Sequence, residues 1–359
     1  MKHRGEEEAA VSDEIRFGVI GCGVIGTVHA EVLQAVRGAR LVAVADAVPE
    51  VAQRVAERYG VAWYQDYREM LARPDIDAVT IGTPSGMHAE QAIEAARAGK
   101  HILTEKPMAI HLADADRMIA AAREAGVRLG VIFQNRFHRD VMRLYLAMRR
   151  GIFGRPVLGN ALVRWWRTQE YFHIARWRGT WALDGGGALM NQSIHYVDLL
   201  QWCMGPVEQV FAYTNTLAHE IETEDVATAV LRFRSGALGI VEGTTAANPG
   251  FSARLDIHGD RGGASIEDNR LVECKVAEGD GMPSEDDPEL AGTYVPEPGA
   301  PWWKAHLPIF QASVNAILEG KPMPVSGEEG RKSVEIILAI YQSARTGQPV
   351  SLPLQANGG

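Results

Sequence analysis

The sequence is poor in cysteine and contains no long hydrophobic run. Its three cysteines, Cys22, Cys203 and Cys274, are far apart and odd in number, so they predict neither a disulfide framework nor a metal site. No apolar stretch reaches the roughly 18 residues that a membrane-spanning helix needs, and the first residues lack the apolar core of a signal peptide. We therefore expect a cytoplasmic protein without a membrane partner, beginning with a disordered, mostly acidic tail over residues 1–14.

The chain also lacks an excess of basic residues. It has 36 Lys and Arg against 45 Asp and Glu, so its formal net charge is -9. Proteins whose main partner is a nucleic acid usually carry a basic surface, and no nucleic-acid partner is expected here. An anionic small molecule stays open, because an acidic protein can still contain a local pocket of Arg and Lys.

What the sequence does contain is enough apolar residues for two domains. Hydrophobic residues make up 46% and charged residues 23% of the chain, which is typical of a globular protein with a sizeable core. A length of 359 residues exceeds one ordinary domain. Because the pattern of strands and helices changes near residue 137, we predict domains over residues 15–137 and 138–359.

The first of these domains is predicted to be an α/β Rossmann domain. Short apolar runs, typical of buried strands, alternate with helical patterns, and repeated strand–helix–strand units produce a parallel, doubly wound sheet. The five predicted strands cover residues 15–20, 41–46, 78–81, 101–104 and 128–133.

The second domain is predicted to be an α+β domain with one open, mainly antiparallel sheet. Its β-type runs are longer, and Arg234-Ser235-Gly236 is a hairpin signal between two of them. The acidic stretch 278–300, rich in Pro and Gly, is expected to be a loop. Strands are predicted at residues 157–165, 207–216, 226–233, 237–245 and 253–257, and helices at 140–150, 189–204, 304–319 and 328–345.

A glycine pattern after the first strand indicates a dinucleotide site. The motif GCGVIG occupies residues 21–26 and precedes a predicted helix, which is the context that this motif needs. Gly21 would form the tight turn, Gly23 would let a pyrophosphate approach the backbone, and Gly26 would allow close packing of helix on strand. The predicted contacts in this turn are Gly21, Gly23, Val24 and Ile25.

Asp46 predicts which dinucleotide binds. It lies 20 residues after Gly26, at the end of the second strand, where a carboxylate binds the ribose hydroxyls of the adenosine. A 2′-phosphate would meet like charge there, and Ala47 supplies no cation. NAD is therefore predicted as the cofactor rather than NADP.

Polar residues at the ends of the third and fourth strands predict further contacts. Thr83-Pro84 and Glu105-Lys106-Pro107 follow these strands, at the sheet edge where ligands of doubly wound domains bind. A lysine there could stabilise a developing alkoxide, or accept the proton of an alcohol if burial lowers its pKa. On these residues alone, a solvent-exposed and unreactive Lys106 is an equally open alternative.

A stretch rich in aromatic and basic residues, 164–181, is a candidate substrate region. Sugar faces stack on Trp and Tyr rings, and arginine binds hydroxyls or anions, so Trp166 and Tyr171 are predicted substrate contacts. Packing beneath the sheet is the alternative role for these side chains. Trp302, Trp303 and His306, at the start of a later helix, could reach the same cleft.

With these features in place, the sequence resembles the Gfo/Idh/MocA family of sugar and polyol oxidoreductases. The resemblance runs from about residue 15 to residue 353. It is carried by GCGVIG, Thr83-Pro84 with His88, Glu105-Lys106-Pro107, Asn135-Arg136-Phe137, Gly185-Gly186-Gly187 leading to His195, and the Ser326–Gly330 segment.

The resemblance implies roles for individual residues. Lys106 would be the catalytic lysine, and His195 would share proton transfer with the substrate hydroxyl. The family usually has Asp four residues before this histidine, whereas this chain has Asn191, which can orient a hydroxyl but holds no charge. The implied cofactor contacts also include Thr83, Pro84, His88, Glu105, Lys106 and Asn135, and the implied substrate contacts are Lys106, Arg136, Trp166, Tyr171, Asn191 and His195.

The predicted activity is reversible hydride transfer between nicotinamide and a secondary hydroxyl of a sugar, sugar derivative or cyclitol. No metal is required, because Lys106 can act in place of a Lewis acid, and the family resemblance implies a homodimer or homotetramer. Two alternatives stay open: an enzyme that recycles bound NAD during net elimination, hydrolysis or epimerisation, and a non-catalytic sensor of NAD or sugar.

Overall fold

The computed structural model describes residues 14–278, 281–297 and 299–354, which form two sheets covered by helices. The predicted tail over residues 1–14 lies outside the described residues, apart from Glu14. No described helix is both long and apolar enough to cross a membrane. Within the same residues, no three or more His, Cys, Asp or Glu side chains are grouped so that they could hold a metal ion.

The first sheet is parallel throughout, with strand order β3-β2-β1-β4-β5-β6. The predicted doubly wound sheet is confirmed, but it has one strand more than expected. The extra strand, β3, is three residues long and has Trp63 exposed at its centre, so it produces no apolar run. The strands are β1 (Ile15–Ile20), β2 (Ala39–Ala45), β3 (Ala62–Tyr64), β4 (Ala78–Ile81), β5 (His101–Thr104) and β6 (Leu129–Val131).

Helices cover both faces of this sheet. They are α1 (Val24–Leu33), α2 (Pro49–Tyr59), α3 (Tyr67–Leu71), α4 (His88–Arg97) and α5 (Leu112–Glu124). The bounds of α2 follow from its sequence, because Pro49 is favoured in a first helical turn and Gly60 ends the helix in a left-handed conformation with φ 66°. Such local signals made these helices predictable.

The second sheet is mainly antiparallel, as predicted, with strand order β13-β12-β11-β7-β10-β9-β8-β14 and one parallel pair, β7 with β10. The hairpin of β12 and β13 was not predicted, because β12 begins with two glycines and β13 is an edge strand with no fully buried residue. The strands are β7 (Pro156–Arg164), β8 (Val207–Asn215), β9 (Val226–Phe233), β10 (Leu238–Thr244), β11 (Arg254–Gly259), β12 (Gly262–Glu267), β13 (Arg270–Val276) and β14 (Val350–Ser351).

The remaining helices are α6 (Arg139–Arg149), α7 (Gln169–His173), α8 (Ile194–Met204), α9 (Leu307–Leu318) and α10 (Gly327–Thr346). The helix predicted over residues 189–204 is α8, preceded by a π-helical turn over Ala188–Ser193. Just before this turn, the backbone at Gly187 packs closely against the backbone of Glu224. A Cβ on Gly187 would lie 1.9 Å from the Glu224 carbonyl oxygen. A glycine is therefore required where the chain leads into α8, because the space admits no side chain.

The last third of the chain returns to the first sheet. The Val131 N–H donates to the Val325 carbonyl at 3.0 Å, and Gln311 on α9 accepts from the Arg37 N–H at 2.9 Å. The two sheets do separate near residue 137, but α9 packs against α1 and β1. A division of the chain into residues 15–137 and 138–359 therefore stays a prediction, and it leaves out this return.

Candidate active site

A cavity of about 1150 Å³ lies at the carboxyl ends of β1, β2, β4 and β5. This is the sheet edge where doubly wound domains bind their ligands. Residues from both halves of the chain line the cavity. Of the predicted site residues, it brings together Gly21, Gly23, Val24, Ile25, Asp46, Thr83, Pro84, His88, Glu105, Lys106, Asn191 and His195.

The glycine turn at one end of the cavity has the shape that a pyrophosphate needs. Gly21 has φ 87°, and a Cβ on Gly26 would lie 1.8 Å from the Gly21 carbonyl oxygen. A Cβ on Gly23, by contrast, would meet nothing within 4 Å, because this residue faces the cavity. α1 begins at Val24 without an acidic residue in its first turn, so its positive end is open to an anion.

The Asp46 carboxylate is held in place beside this turn. Its Oδ2 accepts from the Cys22 N–H at 2.7 Å and its Oδ1 from the Val48 N–H at 2.9 Å. The side chain still lines the cavity, with lone pairs free for ribose hydroxyls. Burial, with Asp46 nearby, raises the pKa of the Cys22 thiol to about 12, so this cysteine is a small packing residue and not a nucleophile.

His88 joins the two loops that carry the predicted contacts. Its Nδ1 lies 2.8 Å from the Pro107 carbonyl oxygen and its Nε2 lies 2.9 Å from that of Thr83. Burial lowers the pKa of His88, and a neutral ring donates only one of these hydrogen bonds at a time. His88 therefore fixes the loop after β4 to the loop after β5, next to Lys106.

Glu105 is a buried carboxylate that anchors the loop after β5. It accepts from His29 Nε2 at 3.1 Å and from the backbone N–H of Lys106 at 3.1 Å. Burial by itself would raise the pKa of Glu105, but the His29 hydrogen bond and the nearby positive charges hold it at about 2. A fixed negative charge thus lies directly beneath Lys106.

Lys106 is half-buried, lines the cavity and points toward the second domain. Its Nζ donates to the backbone carbonyl of Asn191 at 2.9 Å. Burial lowers the pKa of Lys106, with Arg178 and Arg167 acting in the same direction against Glu105 and Asp184. A lysine in this setting reaches its neutral form more readily than an exposed one.

His195 lies opposite, on the first turn of α8. It lines the cavity, and its ring packs edge-on against Phe133 at 6.0 Å. Its Nδ1 is buried and accepts or donates no hydrogen bond within the described residues. Burial, together with Lys106, lowers the pKa of His195 well below its usual value, so the ring is neutral.

Asn191 lines the cavity, but its side chain is engaged by the protein. Its Nδ2 donates to Asp184 Oδ1 at 2.5 Å, and its Oδ1 accepts from Gln192 Nε2 at 2.7 Å. Gln192 in turn accepts from Arg167 at 2.8 Å and donates to the Tyr171 hydroxyl at 2.9 Å. The sequence did not predict Asp184, because a carboxylate beside three glycines carries no motif of its own.

Four predicted site residues, Asn135, Arg136, Trp166 and Tyr171, do not line the cavity. The substrate role of Arg136 needs correction, because both its nitrogens Nε and Nη2 donate to the Asp198 carboxylate at 2.7 Å and Nη1 lies 3.2 Å from Glu329. It is 3% exposed, so two carboxylates use its charge inside the protein.

Tyr171 and Trp166 pack against other side chains of the second domain. Tyr171 lies under the Arg178 guanidinium, 4.0 Å from the ring centre, and Trp166 packs near the His219 ring at 5.6 Å. The cavity instead takes Trp177, Arg178, Trp302 and His306 from the aromatic and basic segments that the sequence singled out. Gln134 lines it in place of its neighbour Asn135.

A Rossmann sheet with this cradle, joined to a second domain whose helices and loops line the same cavity, is the architecture of an NAD-binding oxidoreductase. The family models agree: residues 15–133 match the NAD-binding Rossmann fold of the Gfo/Idh/MocA oxidoreductase family and residues 141–265 match its C-terminal domain. The chain belongs to this family. It is an NAD-dependent oxidoreductase that acts on CH–OH groups, and its relatives act on sugars and polyols.

Known proteins are similar over nearly the whole chain. A myo-inositol 2-dehydrogenase of Thermotoga maritima is 30% identical over 94% of this chain and 98% of its own. The WlbA dehydrogenase of Bordetella pertussis, crystallised with NADH and UDP-GlcNAcA, is 38% identical, with a TM-score of 0.87 over 95% of this chain and 99% of its own. A levoglucosan dehydrogenase, crystallised with NADH and levoglucosan, is 26% identical, with a TM-score of 0.86 over 95% and 100%.

Proposed function

We propose that this protein oxidises a secondary hydroxyl of an acidic sugar, with Lys106 accepting the hydroxyl proton and His195 assisting. The observation that carries the proposal is that Lys106 and His195 line the same cavity as the Gly21–Asp46 cradle, one from each half of the chain. A substrate between these two side chains would meet a proton acceptor on both sides.

NAD fits the residues at the other end of this cavity. The open side of Gly23 would receive the pyrophosphate and the Asp46 carboxylate the ribose hydroxyls. Bound NAD supplies the hydride-accepting chemistry. The loops held together by His88 and Glu105 fix where Lys106 stands relative to this cradle.

The proton step follows from the surroundings of Lys106. A neutral amine is required to take up the hydroxyl proton as the carbinol C–H bond breaks, and the lowered pKa of Lys106 under burial favours that form. Once protonated, the ammonium would be stabilised by Glu105 and Asp184. His195, which is neutral and lines the cavity, would accept a hydrogen bond from the same hydroxyl or orient it.

The substrate class is inferred from two arginines at this end of the cleft. Arg178 lines the cavity and Arg167 lies close enough to affect Lys106. Neither guanidinium forms an ion pair with a carboxylate within the described residues, and the groups that accept from them, Gln192 and the Trp166 and Tyr171 carbonyls, are neutral. A carboxylate on the sugar would supply the missing partner, which agrees with the WlbA relative crystallised with the acidic sugar nucleotide UDP-GlcNAcA.

The test is a panel of sugars, uronic acids and nucleotide-linked uronic acids, assayed by NADH absorbance. We expect wild-type turnover with acidic members and a loss of about 10²–10⁴-fold in kcat for Lys106→Ala, with NADH binding retained. Lys106→Arg is the matched control, because it keeps the charge but does not deprotonate, and it should be equally slow. Turnover near the wild-type rate in either variant would contradict the role of Lys106.

The same assay separates the alternative in which NAD is recycled within the enzyme. One NADH released for each sugar consumed is the expected stoichiometry for a simple dehydrogenase. Consumption of sugar without accumulation of NADH would instead favour net elimination or epimerisation, with Lys106 and His195 in the same places.

We also infer that the protein self-associates through the outer face of its second sheet. The apolar residues there are adjacent across four strands, since Val230 pairs with both Ile240 and Phe211, and Leu238 pairs with Leu158. Val230, Leu238 and Ile240 are exposed, and a contiguous apolar patch of this kind is typical of an interface. A second copy of the chain, contributing the same sheet face, is the occupant we propose.

A further inference from the structure

Asp184 is a buried carboxylate whose charge acts on Lys106. It is 1% exposed. Its Oδ2 accepts from the Gly179 N–H at 2.9 Å and its Oδ1 accepts from Asn191 Nδ2 at 2.5 Å. A fully buried carboxylate with only two hydrogen bonds is costly unless a nearby charge offsets its desolvation.

Lys106 is one of two cations whose charges act on this carboxylate, the other being Arg178. The Lys106 ammonium donates to the Asn191 backbone carbonyl at 2.9 Å, while the Asn191 side chain donates to Asp184, so one residue contacts both ionic groups. Lys106 and Arg178 act to lower the pKa of Asp184 but burial dominates and raises it to about 6. Above that pH the carboxylate is ionised and acts on Lys106.

Other charged and titratable groups also surround Lys106 and must be kept constant in any comparison. Glu105 and Asp184 are the carboxylates whose charges favour its ammonium form, whereas the two guanidinium groups oppose it. Within the described residues, the groups whose charges interact with Lys106 include Glu105, Asp184, Arg167, Arg178, His88, His195 and His306.

We propose that Asp184 is a positioning residue that supplies the negative charge that the family usually places at position 191, with Asn191 as the link that holds it beside Lys106. The inference rests on the proposed role of Lys106 as proton acceptor. It explains how the chain keeps an anion near this lysine with an amide at position 191. It also explains why the Asn191 side chain is turned toward Asp184.

The hydrogen bonds define an exchange of these two residues that preserves the site. In an Asp184→Asn/Asn191→Asp double variant, the new amide at position 184 would accept from the Gly179 N–H and donate to the new carboxylate. That carboxylate would accept from Gln192 Nε2, as Asn191 Oδ1 now does. In Asp184→Asn alone, the amide at position 184 would have one acceptor oxygen for two donors, the Gly179 N–H and Asn191 Nδ2, so the double variant is the better-matched protein.

The experiment measures the protonation of Lys106 directly and needs no substrate. The purified protein is labelled briefly with acetic anhydride across a pH series above pH 6.5, where Asp184 is ionised, and the modification of Lys106 is followed by peptide mass spectrometry. We expect Asp184→Asn to lower the midpoint by about one unit, since loss of an opposite charge disfavours the charged form. Asn191→Asp should raise it, and the double variant should return it toward the wild-type value.

Glu222→Gln is the matched control. Glu222 lies in the same region and accepts from the Trp181 N–H at 3.1 Å, but its charge is not among those acting on Lys106. The labelling midpoint of Lys106 should therefore be unchanged in this variant. The proposal would be overturned if the midpoint of Lys106 labelling were unchanged in Asp184→Asn. It would also be overturned if the midpoint in the double variant stayed at the value of Asp184→Asn. If Asp184→Asn does not fold, Asn191→Asp and the double variant still decide the outcome.

Failure of this inference is distinguishable from failure of the proposed function. If Lys106 is not the proton acceptor, Lys106→Ala will turn over at the wild-type rate whatever the labelling shows. If only the role of Asp184 is wrong, Lys106→Ala will be slow while the midpoint in Asp184→Asn stays unchanged. With a substrate in hand, the acid limb of the kcat profile should move with the labelling midpoint, which a purely structural role would not cause.

Discussion

We propose that Asp46 selects the cofactor by a charge that the backbone holds in one place. Two N–H groups bind its carboxylate, so it cannot swing away from a 2′-phosphate. We expect Asp46→Ser to weaken NADH binding by about tenfold or more, because hydrogen bonds to a charged group contribute roughly 1.5–3 kcal/mol. The preference for NADH over NADPH should narrow as well, and titration calorimetry with both nucleotides measures it.

A wild-type protein that binds the two nucleotides equally would contradict this assignment. Asp66→Ser is a useful control, because Asp66 also lines the cavity but its carboxylate caps α3 by accepting from the Arg68 N–H. That variant should keep both the cap, since serine caps a helix about as well as aspartate, and the preference for NADH.

Arg178 is the residue that tests the acidic-sugar proposal. Its guanidinium is held over the Tyr171 ring and its Nη1 donates to the Tyr171 carbonyl at 3.1 Å, so it is in place before a substrate binds. We expect Arg178→Gln to raise the KM for an acidic sugar by about tenfold or more, with a much smaller effect on a neutral sugar. Equal losses for both classes, measured by initial rates, would show that Arg178 binds no carboxylate.

Sequence and structure agree at the residue scale where a side chain belongs to a motif with fixed geometry. Asp46 and Lys106 each follow a strand end, so strand prediction alone placed them at the sheet edge. Arg136 also follows a strand, but whether it faces the cavity or Asp198 depends on how α8 packs, which is a long-range contact. Asp184 could not be predicted for the same reason, since its partners come together only when the glycine run enters α8.

At the scale of the element, the strand–turn–helix of β1 and α1 makes two glycines separable by experiment. A Cβ on Gly26 would collide with backbone at 1.8 Å, whereas one on Gly23 would stand in open space, with φ −68°. We expect Gly26→Ala to destabilise the first domain, because backbone cannot yield as a side chain does. Gly23→Ala should leave the unfolding midpoint nearly unchanged and instead weaken NADH binding by obstructing the pyrophosphate.

Thermal unfolding with and without NADH distinguishes the two variants. Gly26→Ala should show a lower Tm without cofactor, whereas Gly23→Ala should show a normal Tm that NADH fails to raise. A Gly23→Ala protein that NADH stabilises as much as the wild type would mean that the pyrophosphate does not approach this turn.

Local sequence signals decide which of these elements could be predicted. α2 carries its own Pro and Gly signals, and β9 alternates buried and exposed residues along its length, so local pattern was sufficient. β3 and β13 are edge strands with little buried surface, and they exist because a neighbouring strand offers hydrogen bonds. Their formation is a property of the sheet and leaves little trace in the sequence.

At the scale of the whole molecule, the two sheets differ in what covers them. Helices pack on both faces of the first sheet, and α8 and α10 pack on one face of the second. The other face of the second sheet carries the exposed Val230, Leu238 and Ile240. A sheet face of this composition is stable in water only at the cost of exposed apolar area, which a second copy would remove.

We therefore expect the wild-type protein to be a dimer or tetramer by light scattering, and Val230→Asp/Ile240→Asp to shift it toward the monomer. Two carboxylates directly opposite each other on β9 and β10 would have to be desolvated in the interface. Val48→Asp is the control, because Val48 is also exposed but belongs to the first domain, where its N–H binds Asp46 beside the nucleotide cradle. A wild-type monomer, or a double variant with unchanged mass at all concentrations, would place any interface elsewhere.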